Sequence, residues 1–153
     1  MNNLPASFSE LLPIMEEQLN NGQKVSFTVN GTSMQPMIIS GKDSVVLRKP
    51  NGRLKKYDLP FYRRDDGQFV LHRVVKLQKD GNYTCRGDNQ IINEPDGRPD
   101  QIIGVVESFT HKGKDWSVES FWYKLYCRLW MSMRFFRRVV GRLKRIKNRI
   151  FGR

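Results

Sequence analysis

Three short segments of the chain carry residues that could act together in catalysis. Ser33 lies in GTSMQPMI, His72 lies in the largely apolar FVLHRVV, and Asp88 lies in RGDNQ. A serine hydroxyl becomes a nucleophile when a neighbouring base takes its proton, and histidine titrates in the right range to be that base. Each residue alone has an ordinary structural explanation, since Ser33 and Asp88 suit turns and a histidine in a strand is commonly structural. The chemistry therefore depends on whether the fold brings the three segments together.

The apolar pattern predicts a sheet of short strands after an N-terminal helix. Leucine and methionine at helical spacing predict that helix over residues 9–20, ended by Gly22. Strands are predicted at residues 25–29, 44–48, 58–64, 68–77, 82–86 and 101–109. Asp-Gly pairs at positions 66–67 and 80–81 predict hairpin turns, and residues 87–100 are predicted to form a loop. The predicted fold class is mainly β, a sheet curled into a partly open barrel.

Composition narrows the classes of protein that fit. A chain of 153 residues suits one compact domain with an appended element. Its two cysteines, Cys85 and Cys127, form no CxxC pair, so neither a disulfide framework nor a zinc site is expected. Two unpaired thiols favour a reducing compartment. No signal peptide or membrane span is predicted in the first 30 residues.

Taken in order, the segments GTSMQPMI, FYRRDDGQFVLHRVV, RGDNQ and IIGVVESF resemble the type I signal peptidase superfamily, which includes the LexA-like self-cleaving repressors. The resemblance covers residues 25–109. In this superfamily a Ser-Met-x-Pro box supplies the nucleophile, a central strand supplies the general base, and a Gly-Asp-Asn box follows. Because His72 precedes Arg73, the chain resembles the Ser-His branch typified by endoplasmic-reticulum and archaeal enzymes, and not the bacterial branch with a lysine base.

The resemblance implies a role for each matching residue. Ser33 matches the nucleophile, His72 the general base, and Asp88 the carboxylate that would fix the histidine tautomer and stabilise the imidazolium. The oxyanion site and cleft are implied at Thr32, Met34 and Pro36. The Ser33 N–H and the Thr32 hydroxyl would hold the oxyanion, and no metal or cofactor is implied. His111, the other histidine, lies outside these segments and is not expected to take part.

Several positions depart from the family's pattern. Gly31 stands where many signal peptidases carry a serine that helps to hold the oxyanion. Glu94 stands where the Ser-His branch often has a second aspartate, six residues after the first. A polar helix precedes the serine box where family members have a membrane span. Met34 and Pro36 also suit core filling and a turn, an alternative that is compatible with lining a cleft.

Basic residues concentrate in a C-terminal tail. Lys and Arg total 27 and Asp and Glu total 15, yet eleven of the basic residues and none of the acidic ones lie after position 120. Apolar residues recur in steps of three or four from Val118 to Ile150 and predict an amphipathic helix over residues 118–151. The membrane-facing residues of this helix would be Trp122, Leu125, Leu129 and Phe136.

An in-plane helix on an anionic lipid surface fits this tail, because its polar faces are cationic and aromatic residues lie on its apolar side. Basic side chains interrupt every window of about 20 residues, so a membrane span is not predicted. Packing on the chain's own domain or on a second copy is an alternative. Nucleic-acid binding is a further alternative, which an aromatic stripe disfavours.

Together these patterns predict a serine endopeptidase domain over residues 1–115 and a basic amphipathic tail over residues 116–153. The expected reaction is hydrolysis of a peptide or protein segment through an acyl-enzyme, in the cytoplasm at the inner membrane face. One alternative is a LexA-like regulator that holds nucleic acid, but the 24 residues before the first strand are too few for a helix-turn-helix domain. Another alternative is a non-catalytic relative that acts as a scaffold.

Overall fold

The computed structural model describes residues 7–133, 136, 139, 140 and 143. Within them the chain is mainly β, a curled half-barrel sheet with one N-terminal and one C-terminal helix, as the sequence predicts for the fold class. The elements are α1 (Ser7–Asn20), β1 (Val25–Thr28), β2 (Ser44–Arg48), β3 (Pro60–Arg63), β4 (Phe69–Leu71), β5 (Arg73–Leu77), β6 (Tyr83–Arg86), β7 (Glu94–Gly97), β8 (Ile102–His111), β9 (Lys114–Ser117) and α2 (Phe121–Ser132).

The strands form two antiparallel sheets. The larger sheet has the order β1-β2-β8-β3-β4, with β9 paired to β8, and the smaller sheet has the order β5-β6-β7. A single residue, His72, separates β4 in the larger sheet from β5 in the smaller one. The prediction of one continuous strand over residues 68–77 is therefore wrong. Alternating apolar residues fit both halves of such a segment and do not reveal that it passes from one sheet to the other.

The main core lies on the inner face of the larger sheet, where α1, the loop after β1 and α2 pack against it. Val45 and Leu47 alternate with more exposed neighbours on β2 and are fully buried, as period-two patterning requires. On α1, Leu19 packs close to the sheet beside Gly104, where an added Cβ would lie 3.3 Å from the Leu19 Cδ1 atom. Burial of each such aliphatic side chain contributes about 1.5–3 kcal/mol to folding.

Two strands fall where the sequence predicts none. β7 lies within the predicted loop, and its EPDG sequence has little intrinsic strand preference. It forms because it pairs with β6, Cys85 opposite Glu94. β9 folds back on β8 through a turn at Lys112 and Gly113, where both residues have positive φ. The N-terminal helix begins at residue 7, slightly earlier than predicted.

The C-terminal helix starts later than its apolar stripe predicts. Ser120 caps α2, because its Oγ accepts a hydrogen bond from the Tyr123 N–H at 3.2 Å. Val118 lies before this cap and is buried in the core. The predicted domain boundary after residue 115 falls inside β9, and Tyr123 and Cys127 of α2 join the main core cluster.

Most of the predicted helix beyond residue 133 lies outside the described residues. Of that part, positions 136, 139, 140 and 143 are described and are helical. Neither helix within the described part of the chain has the length and apolarity needed to cross a membrane.

Candidate active site

The loop after β1 presents Ser33 at the edge of the core. Met34 and Ile38 anchor the loop, with exposures of 1% and 0%. The Gly31 N–H donates to the Ser40 Oγ at 2.9 Å, and Gly31 adopts a φ of 118°, which favours glycine. Ser33 itself is partly exposed. The loop therefore holds a partly exposed serine directly before a buried anchor, Met34.

The segment from Gly87 to Asn89 clamps this serine from the other side. The Asn89 N–H donates to the Ser33 carbonyl at 2.8 Å, and the Asn89 side chain donates to the Thr32 carbonyl at 3.3 Å. A Cβ on Gly87 would lie 2.6 Å from the Ser33 carbonyl oxygen and 2.9 Å from the Ser33 Cβ. Only glycine allows this approach without displacement, so the first and third predicted segments meet as a close-packed pair.

His72 lies where the chain passes between the two sheets. Its N–H donates to the Pro60 carbonyl at 3.3 Å, and the residue is 1% exposed. The next residue, Arg73, pairs with Arg86 in the smaller sheet, and its side chain forms an ion pair with Asp88, which adjoins the Gly87 that packs on Ser33. The fold thus brings all three predicted segments to one place.

The two ring nitrogens of His72 have different surroundings. Nδ1 lies 3.3 Å from Oε1 of Glu94 and 3.4 Å from the Tyr62 hydroxyl. Nε2 is buried and has no hydrogen-bond partner among the described residues. No hydrogen bond joins it to Ser33 within that part of the chain. A proton on Nδ1 facing a carboxylate leaves Nε2 as the acceptor, which is the tautomer that a general base needs.

Glu94 is held in position by two further groups. Arg64 forms an ion pair with its carboxylate, and the Tyr62 hydroxyl donates to Oε2 at 2.7 Å. Burial alone would raise the pKa of the Glu94 carboxyl, but the hydrogen bond and charge of His72, with Tyr62 and Arg64, lower that pKa to about 2. Glu94 is therefore an ionised carboxylate at neutral pH, directed at Nδ1 of His72.

Asp88 faces a different partner from the one its predicted role requires. Both of its carboxylate oxygens accept from Arg73, Oδ1 from Nε at 2.8 Å and Oδ2 from Nη2 at 2.7 Å. Both side chains of this pair are fully buried. The carboxylate that faces His72 is Glu94, six residues later. Sequence spacing marked both positions, but it did not show which carboxylate reaches the histidine.

Helix α2 covers the Arg73–Asp88 pair. The Tyr126 hydroxyl donates to Asp88 Oδ2 at 3.2 Å, and Trp130 Nε1 donates to the Asp88 carbonyl at 2.9 Å. Arg73 Nη1 donates to the Tyr123 hydroxyl at 2.7 Å, and its guanidinium lies over the rings of Tyr123 and Tyr126. Sequence patterning missed these contacts, because the residues that make them lie beside the apolar stripe and not on it.

An apolar groove of about 960 Å³ runs beside the serine loop. Its walls come from that loop, from the β8–β9 hairpin and from α2, and they include Pro36, Met37, Trp116, Trp122, Leu125 and Leu129. Pro36 therefore lies at an open cleft, as the resemblance implies. Met34 packs inside the core instead, and Met37 takes the place at the groove. Thr32 is exposed next to Ser33.

His111 also lies on the wall of this groove. Its Nδ1 is 3.5 Å from Oδ2 of Asp43, a buried carboxylate that accepts from the Ile39 N–H. This second histidine–carboxylate pair lies at the base of the serine loop and not at the Gly87 clamp.

Comparison with protein-family models, curated proteins and solved structures finds no match to this chain.

Proposed function

We propose that this protein is a serine endopeptidase whose nucleophile is Ser33 and whose general base is His72. The observation that carries the proposal is the surroundings of the His72 ring, with Nδ1 facing an ionised carboxylate and Nε2 buried without a partner in the described part of the chain. A buried imidazole with one free nitrogen is costly for folding, and such a cost is typical of functional sites. The proposed proximity of Ser33 and His72 is supported by two contacts, since Gly87 packs on Ser33 and Asp88 binds Arg73, the residue after His72.

In the proposed reaction, His72 Nε2 takes the Ser33 proton as Oγ bonds to the substrate carbonyl carbon. The C–N bond then breaks, the leaving amine takes the proton from Nε2, and the acyl group stays on Oγ. Water repeats the sequence and releases the acid. The Ser33 N–H and the Thr32 hydroxyl are proposed to hold the oxyanion, and Glu94 is proposed to stabilise the imidazolium. This chemistry requires no cofactor.

We also propose that the fold is of the signal-peptidase and LexA type. Three features support it: a curled half-barrel, a serine box directly after the first strand, and a Gly-Asp-Asn segment packed against that box. The proposed general base, His72, is a histidine at the end of a strand, as in the Ser-His branch that the sequence resembles. The expected substrates are peptide or protein segments.

A fluorophosphonate probe tests the proposal without a known substrate. We expect it to phosphonylate the native protein at a single position, Ser33, as Oγ displaces fluoride from phosphorus, because an activated serine reacts where ordinary hydroxyls do not. Mass spectrometry of the digested adduct identifies the labelled residue. Ser26→Ala, which removes an exposed serine on β1, is the matched control and should label like the wild type. Labelling of another residue, or no labelling of the folded protein, contradicts the proposal.

The pH dependence of labelling tests the His72–Glu94 pair. If His72 is the general base, acid should slow labelling by protonating Nε2, and the labelling rate should rise to a plateau as the pH is raised. Since a carboxylate favours the charged form of a neighbouring imidazole, Glu94→Gln should move the midpoint of this profile to lower pH. The plateau rate should fall about 10²- to 10⁴-fold, because the amide can stabilise the wrong tautomer.

The matched control for this experiment is Asp65→Asn. It removes an exposed carboxylate that pairs with Arg98 and not with His72. Its profile should coincide with that of the wild type. An unchanged midpoint and plateau in Glu94→Gln would remove Glu94 from the site.

A further inference from the structure

Helix α2 has a buried face and an exposed apolar face. The buried face carries Tyr123 and Cys127, which contact Arg73. We call the other side the outer face of α2, and it consists of Phe121, Trp122, Leu125 and Leu129. Three of these are 70%, 65% and 54% exposed, and Leu125 is half-buried. Four more described residues of the tail are helical, apolar and exposed, namely Phe136, Val139, Val140 and Leu143.

We propose that the outer face of α2 docks in plane on an anionic lipid bilayer. Exposed Phe and Trp side chains in such number mark an interface and not an ordinary surface. Insertion of an apolar helix face at the headgroup boundary buries these rings, and tryptophan favours that depth. The proposal does not depend on the peptidase activity, since binding is measured directly.

Charge identifies the bilayer among the partners that an apolar face could take. Lys124 and Arg128 lie on α2, and nine more basic residues follow in the sequence with no acidic residue among them. A second copy would bring the same positive charge to the contact and would be repelled. A nucleic-acid duplex would use the charge but leave the exposed apolar side chains in water, because its bases are already stacked on one another. An anionic bilayer uses both the charge and the apolar side chains.

Docking in this way would hold the candidate active site close to the lipid surface. α2 is tied to the serine clamp, because Tyr126 and Trp130 bond to Asp88 and the next residue, Asn89, bonds to Ser33. The groove beside Pro36 is walled by Trp122 and Leu129, so it opens along the outer face. The helix is therefore a fixed part of the catalytic domain and not a flexible tether.

A second exposed apolar pair lies close to this helix. Ile91 and Ile92 are 49% and 79% exposed in the loop that leads from the serine clamp to Glu94. Arg86 links this loop to α2, since it donates to Asn93 Oδ1 at 3.2 Å and to the sulfur of Met131. Ile92 therefore provides a second site at which contact with lipid can be detected.

Vesicle flotation of the full chain tests the proposal. The protein should float with vesicles of phosphatidylcholine and phosphatidylglycerol at low salt, stay behind with phosphatidylcholine alone, and be released at high salt. The double variant Trp122→Ser with Leu129→Ser keeps every charge but removes apolar area, so its partition should weaken by at least about tenfold. The matched control is Leu11→Ser with Ile14→Ser, which removes two exposed apolar side chains from α1 and should float like the wild type.

Thermal unfolding of both double variants checks that each is folded. A solvatochromic dye on Ile92→Cys should shift to the blue when anionic vesicles are added. Failure of the wild type to float at low salt overturns the proposal. So does flotation of the outer-face variant at the wild-type level. If equimolar duplex DNA releases the protein from vesicles, the outer face binds nucleic acid instead. If the wild type forms a stable dimer and the outer-face variant is a monomer, the face binds a second copy instead.

Discussion

Replacement of Ser33 by alanine is expected to lower peptide hydrolysis by about 10⁴- to 10⁶-fold and to leave the fold intact. The loss is large because the proposed acyl-enzyme cannot form without the Oγ atom. The fold should survive, since Ser33 is partly exposed and the clamp uses its carbonyl and Cβ, both of which alanine keeps. Unfolding free energy should change by no more than about 0.5 kcal/mol. Mass spectrometry of a digested peptide mixture measures the cleavage, and urea unfolding measures the stability.

Ser33→Cys provides the companion variant. Both natural cysteines are buried, so a thiol at position 33 should be the first to react with iodoacetamide in the folded protein. Its reactivity should fall when His72→Gln is added, because the base that draws off the thiol proton is gone. If purified Ser33→Ala still cleaves peptides at the wild-type rate, the nucleophile lies elsewhere.

Local patterning predicted the elements that depend on nearby residues. The bounds of β2 are those read from the sequence, and both Asp-Gly turns lie between paired strands with positive φ at their glycines. The ends of strands that depend on distant partners could not be predicted in this way. The break at His72 arises because Phe61 pairs with Leu71 in one sheet while Arg73 pairs with Arg86 in the other. No local signal carries that information.

In the candidate site, too, the sequence predicted what depends on local order and not what depends on distant strand pairing. Motif order proposed Ser33, His72 and the Gly-Asp-Asn segment as site residues, because the resemblance depends on their order along the chain. Which carboxylate faces His72 depends on the pairing of β7 with β6, and that pairing is long-range. The partner of Asp88 could not be predicted either, because an arginine in an apolar strand is normally expected at the surface and not in the core. The structure instead buries Arg73 completely.

The buried Arg73–Asp88 pair should dominate the stability of the region around the site. Arg73→Met leaves the Asp88 carboxylate buried without its guanidinium, so it should lower the free energy of unfolding by about 3–5 kcal/mol. Asp88→Leu leaves the Arg73 guanidinium buried without its carboxylate. Burial alone lowers the pKa of Arg73, but Tyr123 and Asp88 together raise that pKa above its usual range, so removal of Asp88 takes away part of what keeps the guanidinium charged. The double variant should be more stable than either single one, because it leaves neither charge unpaired. Urea unfolding of the four proteins measures the coupling, and additive losses would show that the pair is not coupled.

Variants of Asp88 and Glu94 should distinguish the roles of these two carboxylates. Asp88→Asn should slow probe labelling, because the Asp88 backbone lies within the clamp on Ser33 and Arg73 is left without its counter-charge. It should not move the pH midpoint of labelling, because Glu94 still faces Nδ1 of His72. Glu94→Gln should move that midpoint while costing less stability, since its carboxylate is partly exposed. If Asp88→Asn shifts the midpoint as far as Glu94→Gln does, Asp88 takes the role that the resemblance implies, and Glu94 only supports it.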